Sequence, residues 1–241
     1  MIHALATVAL GPILLVQGRR ARRSIPRLPE ASGPRRVTVG EGSSIRILIA
    51  GDSAAAGVGA ESQDAALAGR TASCLKDYFQ VTWQLEARTG ATTADTLDRL
   101  EGLDAQPFDV FVTSLGVNDV TRGIGLSPWL EQQRGLLELA RDRFSVDLAV
   151  IAGLPPVGGF PALPQPLRWY LGRRARQFSD ALERWVRSEA RAHFVDLHFT
   201  LDPSLMASDG FHPGPAIYQG WGERVARIIR QAYAIQEGPA P

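Results

Sequence analysis

Apolar runs alternate with amphipathic stretches along the chain from residue 45 onward. Five short apolar runs are typical of strands that are buried on both faces; they are residues 45–50, 81–87, 109–116, 147–154 and 193–197. Apolar residues recur at helical spacing in the stretches after them, and the predicted helices are residues 64–79, 93–103, 128–142, 166–192 and 216–234. This alternation indicates a parallel sheet that is covered by helices on both faces.

The N-terminal part departs from this pattern. Residues 2–16 are apolar but interrupted at Gly11-Pro12, and the basic run RRARR follows them. A secretory signal carries its charge before the apolar run, and a membrane span needs roughly 18–20 apolar residues. A membrane-touching tail, an atypical export signal and a packing helix all stay open. Because the arginines favour the cytoplasmic side, we expect a cytoplasmic or cytoplasmic-side membrane-associated protein.

Composition divides the chain into four parts. Residues 1–23 form the apolar segment with its arginine cluster, and residues 24–44 are rich in Pro, Gly and Ser, which predicts a linker. Residues 45–235 are expected to form the α/β domain, followed by a short tail at 236–241. A chain of 241 residues suits one such domain.

Charge and cysteine content exclude several classes of function. The first 36 residues carry seven arginines and one glutamate, a net +6, whereas the whole chain carries +1, so the remainder carries −5. A nucleic-acid surface on the main body would need clustered positive charge, so no nucleic-acid partner is expected. One cysteine and four scattered histidines allow no intrachain disulfide and make a structural zinc site improbable.

The stretch GDSAAAGVGA, residues 51–60, follows the first strand directly. A phosphate-binding loop, a tight turn and a nucleophile all suit such a position, but the glycine spacings of phosphate-binding motifs are absent. In an open parallel sheet, functional residues gather beyond the carboxyl ends of the strands. The candidates there are Gly90 after the second strand, Asn118 and Asp119 after the third, and Asp209 with His212 beyond the fifth.

A serine nucleophile needs a base, and the base needs a third group that holds its tautomer. Among the four histidines only His212 has a carboxylate three residues before it, that of Asp209, so both can lie on one face of a turn. The others are less suitably placed, and they are His3 in the apolar tail, His193 at the start of a strand, and His198. We therefore predict Ser53, His212 and Asp209 as the catalytic residues.

Ester hydrolysis also needs donors for the carbonyl oxygen, which becomes negatively charged. Three donors are available: the backbone N–H of Ser53 at an expected helix start, the backbone N–H of Gly90, and the side-chain amide of Asn118. A glycine suits this role because no side chain keeps the backbone from the substrate. Asp52 and Asp119 are interpreted as structural residues of their loops.

At these positions the sequence resembles the SGNH hydrolases, also called GDSL esterases and lipases. The resemblance lies in GDSAAAGVG, TGATT, GVND and DGFHP, and it covers roughly residues 45–235. It implies a three-layer α/β/α fold with a five-stranded parallel, flavodoxin-like sheet. It also implies Ser53 as nucleophile, His212 as general base and then acid, Asp209 as its partner, and Ser53, Gly90 and Asn118 as oxyanion donors. This chain has Ala54 where the older family name expects leucine, at a position that does not react.

The substrate is less defined. The Pro-rich stretch at 153–172 is either a wall of the acyl site, formed by Leu154, Phe160 and Trp169, or a rigid lead-in to the following helix. We expect a serine esterase for small-molecule esters with short to medium acyl chains, with no cofactor and no metal. Deacetylase, thioesterase and lysophospholipase activities are alternatives with the same triad, and a non-catalytic, membrane-tethered binding protein is another.

Overall fold

The computed structural model describes residues 2–197 and 202–233. Its sheet contains six strands, β1 (Arg36–Val39), β2 (Ser44–Gly51), β3 (Gln80–Ala87), β4 (Val110–Ser114), β5 (Leu148–Ala152) and β6 (Ala192–Val195). The spatial order is β1-β3-β2-β4-β5-β6. Strands β2 to β6 are parallel, which confirms the five predicted strands.

Helices cover both faces of this sheet, which confirms the three-layer α/β/α fold. They are α1 (Ile2–Ser24), α2 (Leu67–Leu75), α3 (Thr93–Glu101), α4 (Val117–Arg122), α5 (Leu126–Phe144), α6 (Leu167–Val186) and α7 (Pro215–Ala232). Side chains of β2 alternate between the layers: Ile47 and Ile49 pack with α2 and α7, whereas Leu48 packs with α3 and α5. This alternation is why buried parallel strands read as continuous apolar runs.

The sixth strand, β1, lies within the segment that we predicted as a linker. It pairs antiparallel with β3, from Arg36 opposite Gln84 to Val39 opposite Val81. Its four residues alternate between exposed and half-buried positions, as expected for a short edge strand. The prediction of a five-stranded sheet therefore missed an edge strand whose sequence is too short and too polar to give the signal of a buried strand.

Helix α1 continues through Gly11-Pro12, where the apolar run is interrupted. Leu14 and Ala21 are buried against the cluster that contains residues of α6, and the Gln17 amide donates to the Gln165 carbonyl oxygen at 2.7 Å. These tertiary contacts hold a helix from which Pro12 removes a hydrogen bond. In the part of the chain that the structure describes, no helix has both the length and the hydropathy that crossing a membrane requires.

Two sequence predictions fall on residues that the structure does not describe. His198, which was considered as a base and set aside, lies outside the described ranges. The same holds for the tail at 236–241 and the last two residues of the predicted domain.

Candidate active site

Ser53 lies just beyond the carboxyl end of β2, where the chain turns away from the sheet. A side chain at Gly51 would meet the Ser114 carbonyl oxygen at 2.5 Å, so only glycine fits at the end of this strand. The Asp52 N–H donates to the same Ser114 oxygen at 3.1 Å. Residues 53–59 form consecutive turns, and the next α-helix, α2, begins only at Leu67. The prediction that Ser53 lies at a helix start is therefore wrong.

Asp209 and His212 lie on the loop between β6 and α7, and His212 contacts Ser53. The His212 Nε2 atom is 2.9 Å from the Ser53 Oγ atom, and its Nδ1 atom is 2.6 Å from the Asp209 Oδ2 atom. The other Asp209 oxygen accepts from the backbone N–H groups of Phe211 and His212, at 2.9 and 3.0 Å. The structure thus brings the three predicted catalytic residues into one hydrogen-bonded row.

Two contacts hold the Ser53 loop against the loop and helix that follow β6. Gly59 has φ +96°, and a side chain there would lie 2.3 Å from the Pro213 carbonyl oxygen. The hydroxyl of the buried Tyr218 on α7 lies 3.0 Å from the Ala54 carbonyl oxygen and 2.8 Å from that of Val58. Tyr218 therefore ties the serine loop to α7.

The charge of Asp209 is stabilised where it lies. Burial alone raises the pKa of this carboxyl, but the hydrogen bonds from the His212 ring and from two backbone N–H groups outweigh burial and lower the pKa below its ordinary value. An ionised Asp209 accepts the Nδ1–H of His212, which leaves the Nε2 lone pair directed at the Ser53 hydroxyl. In this tautomer His212 can take a proton from Ser53.

Gly90 lies on the loop after β3, and Asn118 lies in the first turn of α4, directly after β4. Gly90 has φ +81°, and no atom lies within 4 Å of the position that its side chain would take, so its α-carbon faces open space. The Asn118 amide nitrogen donates to the Ala91 carbonyl oxygen at 2.9 Å and lies 3.4 Å from the Asp52 Oδ2 atom. Asn118 is thus tied to both the Gly90 loop and the Ser53 loop.

The Gly90 loop is held by a residue that sequence reasoning missed. The Glu30 carboxylate accepts from the backbone N–H and the hydroxyl of Thr89, at 2.7 and 2.8 Å, and pairs with Arg35. On the other side, Arg122 donates to the Gly90 carbonyl oxygen at 2.7 Å. The only signal in the sequence that could have pointed to Glu30 is that it is the single acidic residue in the first 36 residues, which contain seven arginines.

Asp52 and Asp119 are buried carboxyl groups beside the catalytic row. Asp52 accepts from the Ala54 N–H at 3.0 Å, and burial together with the nearby charge of Asp119 raises its pKa from 3.8 to about 7, against the lowering effect of that hydrogen bond. Asp119 accepts from the backbone N–H and hydroxyl of Thr93 at the start of α3. Burial raises its pKa too. Both residues hold loops of the site.

A cavity of about 60 Å³ lies against Ser53 and His212, and most of its wall is apolar. Of the three predicted wall residues, only Phe160 lines it, packed edge-on against Phe211 with ring centres 5.1 Å apart. Leu154 is buried in the core, and Trp169 lies in a separate neighbouring cleft, so neither lines the cavity. Sequence reasoning missed the other apolar wall residues, which include Leu115, Val117, Met206, Phe211 and Ile217.

Residues 49–219 match the model of the GDSL-like lipase/acylhydrolase family. This match covers more than half of the chain and contains Ser53, Gly90, Asn118, Asp209 and His212. A search of curated protein sequences found no match.

Solved structures of esterases and lipases share the fold. A carbohydrate acetylesterase family member from Sinorhizobium meliloti has a TM-score of 0.60 at 17% identity, with 79% of this chain and all of that one covered. A lipase from a goat rumen metagenome has a TM-score of 0.58 at 16% identity, with 76% of this chain and 97% of that one covered. An acetyl-xylooligosaccharide esterase from Geobacillus has a TM-score of 0.58 at 17% identity, with 85% of this chain and all of that one covered. At these identities the similarity concerns the fold alone.

Proposed function

Because this chain belongs to the GDSL-like lipase/acylhydrolase family and is an ester hydrolase, we propose that it cleaves carboxylic esters with Ser53, His212 and Asp209 as its catalytic triad. The observation that carries the proposal is the row of hydrogen bonds in which His212 contacts Ser53 at 2.9 Å and Asp209 at 2.6 Å. Each contact is within the range that proton transfer and ring orientation require.

In the first half-reaction, Ser53 Oγ attacks the ester carbonyl carbon while its proton passes to His212 Nε2. The resulting imidazolium is stabilised by the Asp209 carboxylate, which stays ionised because its hydrogen bonds lower its pKa. The tetrahedral intermediate collapses, and His212 donates the proton to the leaving alcohol. Water then attacks the acyl-enzyme with His212 as base, and the acid product leaves with Ser53 restored.

The negative oxygen of the intermediate is held by the backbone N–H groups of Ser53 and Gly90 and by the Asn118 amide. The open space in front of Gly90 leaves room for a substrate oxygen. One amide hydrogen of Asn118 is engaged by Ala91 at 2.9 Å, whereas its contact with Asp52 is longer, at 3.4 Å. The Asn118 hydrogen that faces Asp52 makes the longer and weaker contact, so this hydrogen is the one that is available to the oxyanion.

The size of the cavity favours short acyl groups. Its volume of about 60 Å³ is well below the roughly 150 Å³ of an engineered apolar cavity that holds benzene. An acetyl or another short aliphatic acyl group fits beside Phe160 and Phe211, whereas a long chain has to extend into the open part of the site. Acetylated carbohydrates carry such a short acyl group. One of the compared structures is described as a carbohydrate acetylesterase family member, and another as an acetyl-xylooligosaccharide esterase.

The test is hydrolysis of p-nitrophenyl esters with acyl chains of about two to twelve carbons by the protein and its Ser53→Ala variant. We expect the fastest turnover on the shortest chains, and a loss of about 10⁴-fold or more in kcat in the variant, as removal of a triad nucleophile causes. Acetylated xylo-oligosaccharides serve as a second substrate set.

The matched control is Ser114→Ala, which removes a hydroxyl from the end of the adjacent strand β4 in the wall of the same cavity. We expect it to retain most of the activity. Equal and slow rates for the protein and Ser53→Ala on every ester would contradict the proposed triad. A rate that rises with chain length would contradict the preference for short acyl groups and leave the triad intact.

A further inference from the structure

The outer side of α1 exposes an unusual concentration of large apolar side chains. Ile13, Leu15 and Val16 are 48%, 64% and 49% exposed, and they lie within four consecutive positions. Among the described residues, only Trp169 and Leu205 are other large hydrophobic side chains with comparable exposure. A cluster of exposed apolar residues on one turn indicates an interaction surface rather than ordinary scattered exposure.

The next turns of the same helix are strongly basic. Arg19, Arg20 and Arg23 are exposed, and together with Val16 they follow the three- and four-residue spacing of one helix face. Leu14, Gln17 and Ala21 lie on the other side, where they contact the α/β domain. The helix thus presents to solvent a surface that is apolar in its middle and basic in its C-terminal part.

The domain-facing side of α1 contacts a cleft that adjoins the catalytic cavity. Gln17 accepts from the Leu167 N–H at 3.0 Å and donates to the carbonyl oxygen of Gln165, which lines the cleft that contains Trp169. Pro155 and Pro156 line both that cleft and the catalytic cavity. In the cleft, the Arg173 guanidinium lies over the half-exposed Trp169 ring at 5.7 Å, so this cleft combines an aromatic ring and a cation.

We propose that α1 docks the protein on an anionic lipid bilayer, with the helix lying in the interface and the catalytic cavity opening beside it. Apolar side chains enter the boundary between headgroups and acyl chains, and arginines bind anionic headgroups. Trp169 suits the same depth, because tryptophan is enriched at membrane interfaces. The rest of the chain after residue 36 carries net negative charge, so attraction to such a surface comes from this part of the molecule.

The test measures co-sedimentation of the full-length protein, purified without detergent, with two kinds of vesicle. One is pure phosphatidylcholine, and the other contains about one third phosphatidylglycerol, which supplies the negative surface potential. The Ser53→Ala variant is included, and it should bind as well as the unaltered protein. Binding is thus measured without turnover, and its result stands whether or not Ser53 is the nucleophile.

We expect binding to the anionic vesicles that weakens with salt, and little binding to the neutral ones. The Arg19→Gln/Arg23→Gln variant should bind about 30-fold more weakly, the effect of two arginines at an anionic surface. Leu15→Ser/Val16→Ser should lose roughly tenfold or more. The matched control, Lys76→Gln/Arg227→Gln, removes two exposed cations from the opposite face and should bind normally. The two α1 variants and the Lys76→Gln/Arg227→Gln control should hydrolyse a soluble acetate ester at the unaltered rate.

Several outcomes overturn the proposal. One is the absence of binding to anionic vesicles, and another is binding that the α1 variants leave unchanged. Resistance to extraction by alkaline carbonate would show an inserted anchor instead of an interfacial helix. A dimer in solution that Leu15→Ser/Val16→Ser abolishes, without vesicle binding, would assign the apolar turn to a second copy of this chain.

Discussion

The buried carboxyl of Asp52 is expected to make stability depend on pH. Asp52 lies next to the nucleophile and accepts hydrogen bonds from the Ala54 N–H at 3.0 Å and from Asn118 at 3.4 Å. These contacts compensate only part of the cost of burial, so the pKa of Asp52 rises from 3.8 to about 7. In the unfolded chain the carboxyl is solvated, and its pKa returns to the ordinary value.

The sign follows from proton binding in the two states. Between pH 4 and pH 7 the folded protein keeps a proton on Asp52 that the unfolded chain has lost. This group therefore contributes stability at low pH that is lost as the pH rises through about 7. Between pH 5 and pH 8.5 the loss in the free energy of unfolding is about 3 kcal/mol, at 1.36 kcal/mol for each pKa unit.

The perturbation is Asp52→Asn, which removes the titrating group and keeps an oxygen for the Ala54 N–H. Its new amide nitrogen lies near that of Asn118, which adds a cost that does not vary with pH. Urea unfolding at pH 5 and at pH 8.5 should therefore show the variant gaining about 3 kcal/mol relative to the unaltered protein as the pH rises.

The matched control is Asp142→Asn, which removes a carboxyl group from an exposed position of α5. Its difference from the unaltered protein should not change in this pH range. If the curves of Asp52→Asn and of the unaltered protein run parallel between pH 5 and pH 8.5, Asp52 does not keep its proton in the folded state, and the reasoning from burial is wrong.

Three further predictions concern catalysis. Asp209→Asn should lower kcat by about 10⁴-fold, because an amide facing His212 Nδ1 favours the tautomer whose Nε2 carries the hydrogen and cannot accept one from Ser53; a loss of less than about tenfold would refute this role. Asn118→Ala should lower kcat by about 10²–10³ with little change in KM, and a change mainly in KM would assign Asn118 to substrate binding instead. Incubation with EDTA should leave ester hydrolysis unchanged, and a loss that added metal restores would disprove the metal-free mechanism.

Much of the fold was predictable because buried parallel strands have a strong sequence signal. Strands β2, β4 and β5 are buried over most of their length, so their residues are almost continuously apolar. Strand β1 has no such signal, since it is an edge strand with half-exposed residues. The continuation of α1 through Gly11-Pro12 could not be predicted from the sequence either, because contacts with residues far along the chain, such as Gln165, hold that helix.

The site was predictable where its chemistry is local. Asp209 and His212 are three residues apart, so a single turn is enough to bring the carboxylate into hydrogen-bond contact with the imidazole ring. The cavity is different. Its wall combines residues at or beyond the ends of β2, β4, β5 and β6. Of the three predicted acyl-site residues only Phe160 lines it, whereas Leu154 is buried in the core and Trp169 lies in the neighbouring cleft.

By itself, the sequence determined the layered α/β architecture and which residue types stand at the ends of its strands, because periodicity and short motifs act over a few residues. Only the tertiary structure decided that Ser53 and His212, 159 positions apart, meet at 2.9 Å. This contact depends on the order of the strands in the sheet. It also depends on the close approach of Gly59 to Pro213 and on the hydrogen bonds of Tyr218. The burial that shifts the pKa of Asp52 and the size of the cavity also arise only when distant segments pack together.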